Sequence, residues 1–318
     1  MIPPSLNDIY VARERIAPHV RPTPLLRHPL LDAESGLSIW VKHENHNPTC
    51  AFKVRGGLNL VGSLTPAERA RGIVTASTGN HGQSIALASR LHGVACTVFV
   101  PEGNNPDKNA AMRAYGATVE EGGVDFDDAR ERCERRAADT GARYVHSANE
   151  PMLLAGVGTY ALELFEQLPD VDVVYVPIGG GSGACGLITV RNALRAKTRI
   201  VGVGAANADA VFRSWQGAER VTGAAANTFA EGVATRVTFD LTFGILKQYL
   251  DDFVQLSEDE LAEGVRLALR TTHNLAEGAG AAALAAAVKH KHQLTGQRVA
   301  CIMSGGNLDR AKLKWIMQ

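Results

Sequence analysis

Cysteine is scarce in this chain, and what there is does not pair. Cys50, Cys96, Cys133, Cys185 and Cys301 are odd in number and widely scattered, with no Cys-x-x-Cys. That pattern argues against a disulfide framework, a zinc site and an iron-sulfur cluster, and predicts reduced, mostly buried thiols. His273, His290 and His292 lack metal-ligand spacing with any acidic partner. An excess of one charge is missing too: 33 Lys and Arg balance 33 Asp and Glu, so there is no basic surplus to hold a phosphodiester backbone, and nucleic acid is not expected as a partner. No apolar run approaches the length of a membrane span, and Met1 to Asp8 has neither a basic segment nor an apolar core. The expected address is the cytoplasm. Internal repeats and low-complexity linkers are absent as well.

What is present is a chain of 318 residues with an ordinary apolar fraction, long enough for about two domains. Ser5 and Asp8 have capping-box spacing, and Ile9, Ala12 and Ile16 recur at helical intervals until Pro18, which predicts a first helix. Arg21-Pro-Thr-Pro24 is expected to be extended, and Leu37 to Glu44 alternates like a strand. A helix-like run covers Val54 to Leu64, and Thr65-Pro-Ala-Glu68 opens another. From Ile73 strand and helix alternate: strands at 73–76, 96–100, 118–121 and 143–146, and helices up to Leu91, over 106–115 and over 126–140. A long helix is expected over 151–168, then a buried strand over 171–177, a loop over 179–186, a helix over 187–194, a strand over 200–203 and a helix over 208–215. Residues 217–238 give no clear pattern. A strand at 252–256, a capping box at Ser257 to Glu260, two helical runs to about His292 and a strand at 298–303 complete the reading. Repeated strand-helix units predict an α/β protein of two open, mainly parallel, helix-covered sheets, with ligands beyond the C-terminal strand ends.

Four stretches at such positions carry chemistry. Lys53, between the strand ending at Glu44 and the helix after it, can become a nucleophile if its amine is partly desolvated, and can form the Schiff base that tethers pyridoxal phosphate. Taken alone, a lysine after a phenylalanine reads as a surface residue; the other three stretches change that. Ser77-Thr78-Gly79-Asn80-His81 opens a helix, so its amides and two hydroxyls face where a carboxylate would be attracted, although Ser, Thr or Asn there also reads as a plain N-cap. Asn80 adds an amide able to meet a phenolic oxygen. The run Gly179-Gly180-Gly181-Ser182-Gly183 lets backbone amides wrap a phosphate. Gly181, Gly183 and Gly186 also match a dinucleotide pattern, but the next strand ends without the acid that a ribose requires, so a single phosphate fits better. Ser304-Gly-Gly-Asn307 ends the last strand, where a hydroxyl could meet a ring nitrogen. Glu277 reads on spacing as a solvated helix residue and is kept as a candidate only.

Together these stretches resemble the fold-type II pyridoxal phosphate enzymes, in particular the serine/threonine dehydratase and serine racemase family. The resemblance covers nearly the whole chain and rests on Arg21-Pro-Thr-Pro-Leu25, Ala51-Phe-Lys-Val-Arg-Gly56, Ser77-Thr-Gly-Asn-His-Gly-Gln83, Gly179 to Gly183 and Ser304-Gly-Gly-Asn307, in the family's order and spacing. It implies a tryptophan synthase β-like fold with the cofactor between a large domain, residues 1–70 and 148–318, and a small one, residues 71–147, in a homodimer. It implies Lys53 as the Schiff-base lysine, Phe52 beside the ring, Asn80 on the phenolic oxygen, Gly179 to Gly183 on the phosphate, Ser304 on the pyridine nitrogen and Ser77 to His81 on the substrate carboxylate. The implied activity is β-elimination from a 3-hydroxy amino acid such as L-serine or L-threonine, in which Lys53 takes the α-proton and a 2-oxo acid and ammonia result. Amino acid racemisation, with Thr78 at the position of the acid on the face opposite Lys53, and non-catalytic cofactor binding are the alternatives. The Glu-Asn-His-Asn-Pro-Thr run before the lysine is similar to that of dehydratases assigned to hydroxyectoine breakdown, which implies a larger or unusual substrate.

The departures are specific. Cys50-Ala51 stands where the family often has Gly-Ser, which removes a hydroxyl from the cofactor phosphate, and Ser182 replaces a glycine and supplies one. Racemase-like members hold a divalent cation in the segment matching Gly204 to Ala210, where the acidic positions are here Gly204 and Ala210, so no metal is expected. No regulatory domain is expected after Gln318.

Overall fold

A computed structural model describes residues 1–318. The chain runs α1 (Leu6–Ile16), β1 (Leu25–Arg27), α2 (Pro29–Ser35), β2 (Ser38–His43), α3 (Lys53–Gly62), α4 (Pro66–Arg71), β3 (Ile73–Ala76), α5 (Asn80–Leu91), β4 (Cys96–Val100), α6 (Pro106–Ala114), β5 (Thr118–Glu121), α7 (Phe126–Thr140) and β6 (Arg143–Tyr144). It continues through α8 (Pro151–Gln167), β7 (Val173–Pro177), α9 (Ser182–Leu194), β8 (Arg199–Ala205), α10 (Ala210–Gln216), α11 (Asp240–Tyr249), β9 (Asp252–Leu256), α12 (Glu258–Thr272), α13 (Gly278–Lys289), β10 (Arg298–Met303) and α14 (Arg310–Ile316). The capping boxes expected at Ser5, Thr65 and Ser257 are all formed. Each satisfies two orphan amides of its helix, which is why those three starts are legible in sequence.

Two sheets result, of order β1-β2-β10-β7-β8-β9 and β5-β4-β3-β6. Every pairing is parallel except that of β1 with β2. This is the expected α/β class of two mainly parallel, helix-covered sheets. Alternate residues of β7 feed opposite cores: Val173 and Tyr175 pack with α12 and α13, while Val174 and Val176 pack with α8 and α9. Burial on both faces makes the strand a continuous apolar run rather than an alternating one. A third core joins α3 and α5 to β3 and β4, and a small fourth lies under α7. Because β2, β10 and β7 are adjacent and parallel, the chain leaves all three on one edge, and that edge carries Lys53, Ser304 and Gly179. No helix is long and apolar enough to cross a membrane.

Several elements differ from the sequence reading. The glycine stretch is not a loop to Gly186: α9 already begins at Ser182, because glycines with no side chain to clash leave helical backbone available where tertiary packing demands it. Strand β6 stops at Tyr144, two residues short, where Val145 still donates to the Val74 carbonyl at 2.9 Å. The elements β1, α2 and α14 are short, and the sequence reading omits them together with the ten-residue α11. Residues 217–239 hold one 3-10 turn, Glu231–Val233, and little else that is regular.

Candidate active site

Lys53 is the first residue of α3, and its position is fixed by what precedes it. The Phe52 amide donates to the Ser304 carbonyl at 3.0 Å, Ala51 bridges to Gly305, and the Gly306 amide donates to the Cys50 carbonyl at 2.8 Å. The lysine segment and the turn after β10 therefore form one unit. Cys50 adopts φ +52°, the left-handed region that favours glycine, at the position where the resembling family often carries Gly. From the other side Ser84 of α5 donates its hydroxyl to the Lys53 carbonyl at 2.6 Å.

Two residues on, Arg55 enters a buried charge network. Its guanidinium donates to Glu44 at 2.7 and 3.0 Å and to Glu163 at 2.6 and 2.9 Å, and Lys42 donates to Glu163 at 2.6 Å and to the Thr23 carbonyl at 2.8 Å. Lys42 and Glu44 are 0 % exposed and Arg55 is 1 % exposed, so only full pairing makes the burial tolerable. Sequence reasoning missed this network. Its members come from four separate segments, and only the Thr23 and Arg55 motifs hint at it.

The Lys53 ammonium donates to the Ser182 hydroxyl at 2.9 Å and to the Ser147 carbonyl at 3.2 Å, and lies 5.2 Å from the centre of the Phe52 ring. No carboxylate pairs with it, and burial pushes its pKa down to about 8. Ser182 opens α9, whose N-terminus is buried and capped by no side chain. A buried helix start with orphan amides calls for an anionic partner. Gly181 has φ +89°, and a Cβ at Gly179 would overlap the Gly232 carbonyl, so neither position admits another residue freely. A Cβ on Gly183 would meet only Tyr160 and Phe52 at 3.5 and 3.6 Å, ordinary contact distances.

The stretch from Ser77 to His81 follows β3 of the other sheet and opens α5, which packs on α3. Its Ser77 hydroxyl accepts from the Gly79 and Gly82 amides at 3.3 and 2.9 Å, and so caps its own helix. The His81 imidazole is turned away to the Thr75 hydroxyl at 3.0 Å, and burial with Lys53 nearby holds its pKa down to about 3. That leaves Thr78, half-buried, and the main chain as what the loop can offer a carboxylate. The Lys108 side chain packs on Gly79, and its ammonium pairs with Glu231, which also receives Lys312. This charged trio, also unforeseen, connects α6, beside the smaller sheet, to Glu231 and α14 on the larger sheet's side.

Ser304 is buried where β10 ends, as expected. Glu277 is not a solvated helix residue: it precedes α13, is 8 % exposed, and accepts from the Asn80 amide at 2.6 Å. Its spacing misled because it is the N-cap of the helix, outside the periodic stretch, and the fold turns it inward. Burial raises its pKa, opposed by Lys108 and the Asn80 hydrogen bond. At the segment matching the family's cation site, a Cβ on Gly204 would come within 2.9 Å of the Phe253 ring, and no group of three His, Cys, Asp or Glu could hold a metal.

A side-chain-free cradle at an uncapped helix start, a lysine amine with no carboxylate, and Asn80 with Ser304 nearby form a donor set that suits pyridoxal phosphate. The pyridoxal-phosphate dependent enzyme family matches residues 16–305. An L-threonine ammonia-lyase of Thermotoga maritima is 38 % identical over 307 residues, 96 % of this chain and 76 % of that protein. A beta-hydroxyaspartate dehydratase of Paracoccus denitrificans is 33 % identical over 312 residues, 98 % of this chain and 99 % of its own. Maize serine racemase superposes with a TM-score of 0.93 at 28 % identity, over 99 % of this chain and 97 % of its own. With the cradle and the lysine both lying inside the matched span, the chain belongs to the pyridoxal-phosphate dependent enzymes.

Proposed function

We propose that the protein is a pyridoxal phosphate-dependent ammonia-lyase that dehydrates and deaminates a 3-hydroxy amino acid to a 2-oxo acid and ammonia. The observation that carries this is the Lys53 amine, desolvated, free of any carboxylate and 2.9 Å from Ser182 at the open start of α9. When bound, the cofactor supplies an aldehyde and an electron-withdrawing ring that make the α-proton of an amino acid acidic. Lys53 would hold that aldehyde and would serve as the base for the α-proton; its lowered pKa leaves a usable unprotonated fraction near neutrality. The glycines from 179 to 183 and Ser182 would hold the phosphate, Phe52 would line the ring, Ser304 would meet the pyridine nitrogen, Asn80 the phenolic oxygen, and the Thr78 side chain with the unspent amides of Thr78, Asn80 and His81 the substrate carboxylate. Residues 71–147 act as a small domain against 1–70 and 148–318, in a cytoplasmic homodimer.

Racemisation is the second reading, supported by the likeness to maize serine racemase. It needs a proton donor opposite Lys53, and Thr78 is the residue available there. One assay separates the two: L-serine, L-threonine and 3-hydroxyaspartate incubated in deuterated buffer, with ammonia, 2-oxo acid and α-deuterium in recovered substrate all measured. Ammonia and 2-oxo acid at equal rates, unaffected by exhaustive chelation, are expected. Deuterium in recovered substrate of inverted configuration, without ammonia, would leave racemisation. Borohydride reduction should attach the cofactor to Lys53, and an adduct on another lysine overturns the site; sedimentation tests the dimer.

A further inference from the structure

Asn80 is held from both sides. Its amide nitrogen donates to the Glu277 carboxylate at 2.6 Å, and its amide oxygen accepts from Asn307 at 2.7 Å. Neither contact tolerates a flip, since a carboxylate cannot donate to the oxygen and the Asn307 amide nitrogen cannot accept from the nitrogen. Asn307 is itself anchored on the Thr49 carbonyl at 2.9 Å, and the Glu277 amide on the Gly305 carbonyl at 3.1 Å. Gly305 makes the approach possible: a Cβ there would come within 2.5 Å of the Glu277 carboxylate and 3.3 Å of the Asn80 nitrogen. One of the two Asn80 amide hydrogens is thus used, and the other has a fixed direction with no partner of its own.

We propose that Glu277 is a positioning residue which, with Asn307, aims the second amide hydrogen of Asn80 at the phenolic oxygen of the cofactor. The inference rests on the reading of Lys53 as the cofactor's lysine, and goes beyond it by naming what sets the proton shared between the Lys53 nitrogen and that oxygen. A donor on the oxygen disperses its charge and lowers its hold on the proton. Losing the donor makes the oxygen more basic, so the yellow, protonated form of the linkage persists to higher pH. Lys108 of α6, Lys312 of α14 and Glu231 are the charged groups within electrostatic reach of Glu277, and His81 and His146 are those near Lys53. None of them contacts Asn80 through a hydrogen bond.

The test is a double-mutant cycle on the loaded enzyme, read as the pH at which the visible band titrates. Glu277→Ala and Asn307→Ala should each move it upward by about half a pH unit or more, the change expected for one lost hydrogen bond to a charged group. In an Asn80→Ala background both shifts should vanish, because the effect passes through Asn80. Glu277→Gln, which still offers an oxygen to Asn80, should restore most of the wild-type value. A Glu277 shift that persists without Asn80 would show a direct charge effect and overturn the proposal, as would unchanged titration in fully loaded single variants. If Glu277→Ala fails to load, the neutral Asn307→Ala cycle decides by itself. Borohydride mapping on the same samples separates the two levels: an adduct away from Lys53 defeats the cofactor reading, whereas an adduct on Lys53 with unmoved titration defeats only this inference.

Discussion

Lys53 shows what one buried amine costs and what it makes possible. An ordinary lysine stays protonated to about pH 10.4. Here burial lowers the value to about 8, with no carboxylate to offset it. Between those two values the unfolded chain binds more protons than the folded one, so in the cofactor-free protein stability rises with pH from about 8 to about 10. Lys53→Met should abolish that rise and stabilise the cofactor-free protein at pH 7 by about 1–3 kcal/mol, the upper figure being reduced because the side chain is only partly buried. Urea titrations at several pH values measure this directly, and parallel curves for the two proteins across pH 7–10 would contradict the assignment of a strained amine. A lysine kept at such a cost is one whose unprotonated form is used.

Two elements separate function from architecture. Helix α9 begins inside the glycine stretch, and its glycines differ sharply in their surroundings. Gly183→Ala meets only ordinary contacts within the protein but adds a methyl group to the cradle, whereas Gly179→Ala drives a Cβ into the Gly232 carbonyl. The first should leave the thermal midpoint of the cofactor-free protein nearly unchanged while weakening cofactor binding by about tenfold or more, the loss expected when a snug polar contact is blocked. The second should lower both. Calorimetry and cofactor titration on the two variants distinguish them. Helix α3, by contrast, is anchored by Arg55, and Arg55→Met would leave Glu44 and Glu163 buried with Lys42 as their remaining cation. Breaking such a group by removing one partner costs about 3–5 kcal/mol, a large part of the stability of a typical domain. Denaturant midpoints should show it. Loss of soluble protein is the outcome expected if the native margin is small.

At the scale of the whole molecule Glu231 ties α6, beside the smaller sheet, to α14, beside the larger one, by accepting from Lys108 and from Lys312. Lys108 lies against Gly79, in the stretch that we propose receives the substrate carboxylate. Glu231→Gln should therefore loosen the hold on Lys108 and the Gly79 stretch more than it destabilises the fold. We expect KM to rise by roughly fivefold, about 1 kcal/mol, with a small change in thermal midpoint, as for a partly exposed ion pair. Raising the salt concentration should move wild type toward the variant, since screening weakens the same contacts. A variant with unchanged KM and a large loss of stability would show that the trio is architectural only.

The sequence by itself determined the fold class and marked the strand ends where we propose the chemistry is carried. Buried parallel strands write themselves as apolar runs, capping boxes mark helix starts by local hydrogen bonding, and the Lys53, Ser77 to His81, Gly179 to Gly183 and Ser304 stretches each follow a strand end. Those signals are local, and local signals survive without a structure. Tertiary structure alone decided what each polar group faces. Glu277 became a buried partner of Asn80, His81 turned from the cleft to Thr75, Ser77 spent its hydroxyl on its own helix, and Lys42, Glu44, Arg55 and Glu163 met in one network. The physical reason is that a polar side chain's role follows from which long-range partner satisfies it and from how far burial strips its water. Neither is fixed until the two sheets have brought residues 80 and 277, or 55 and 163, into contact.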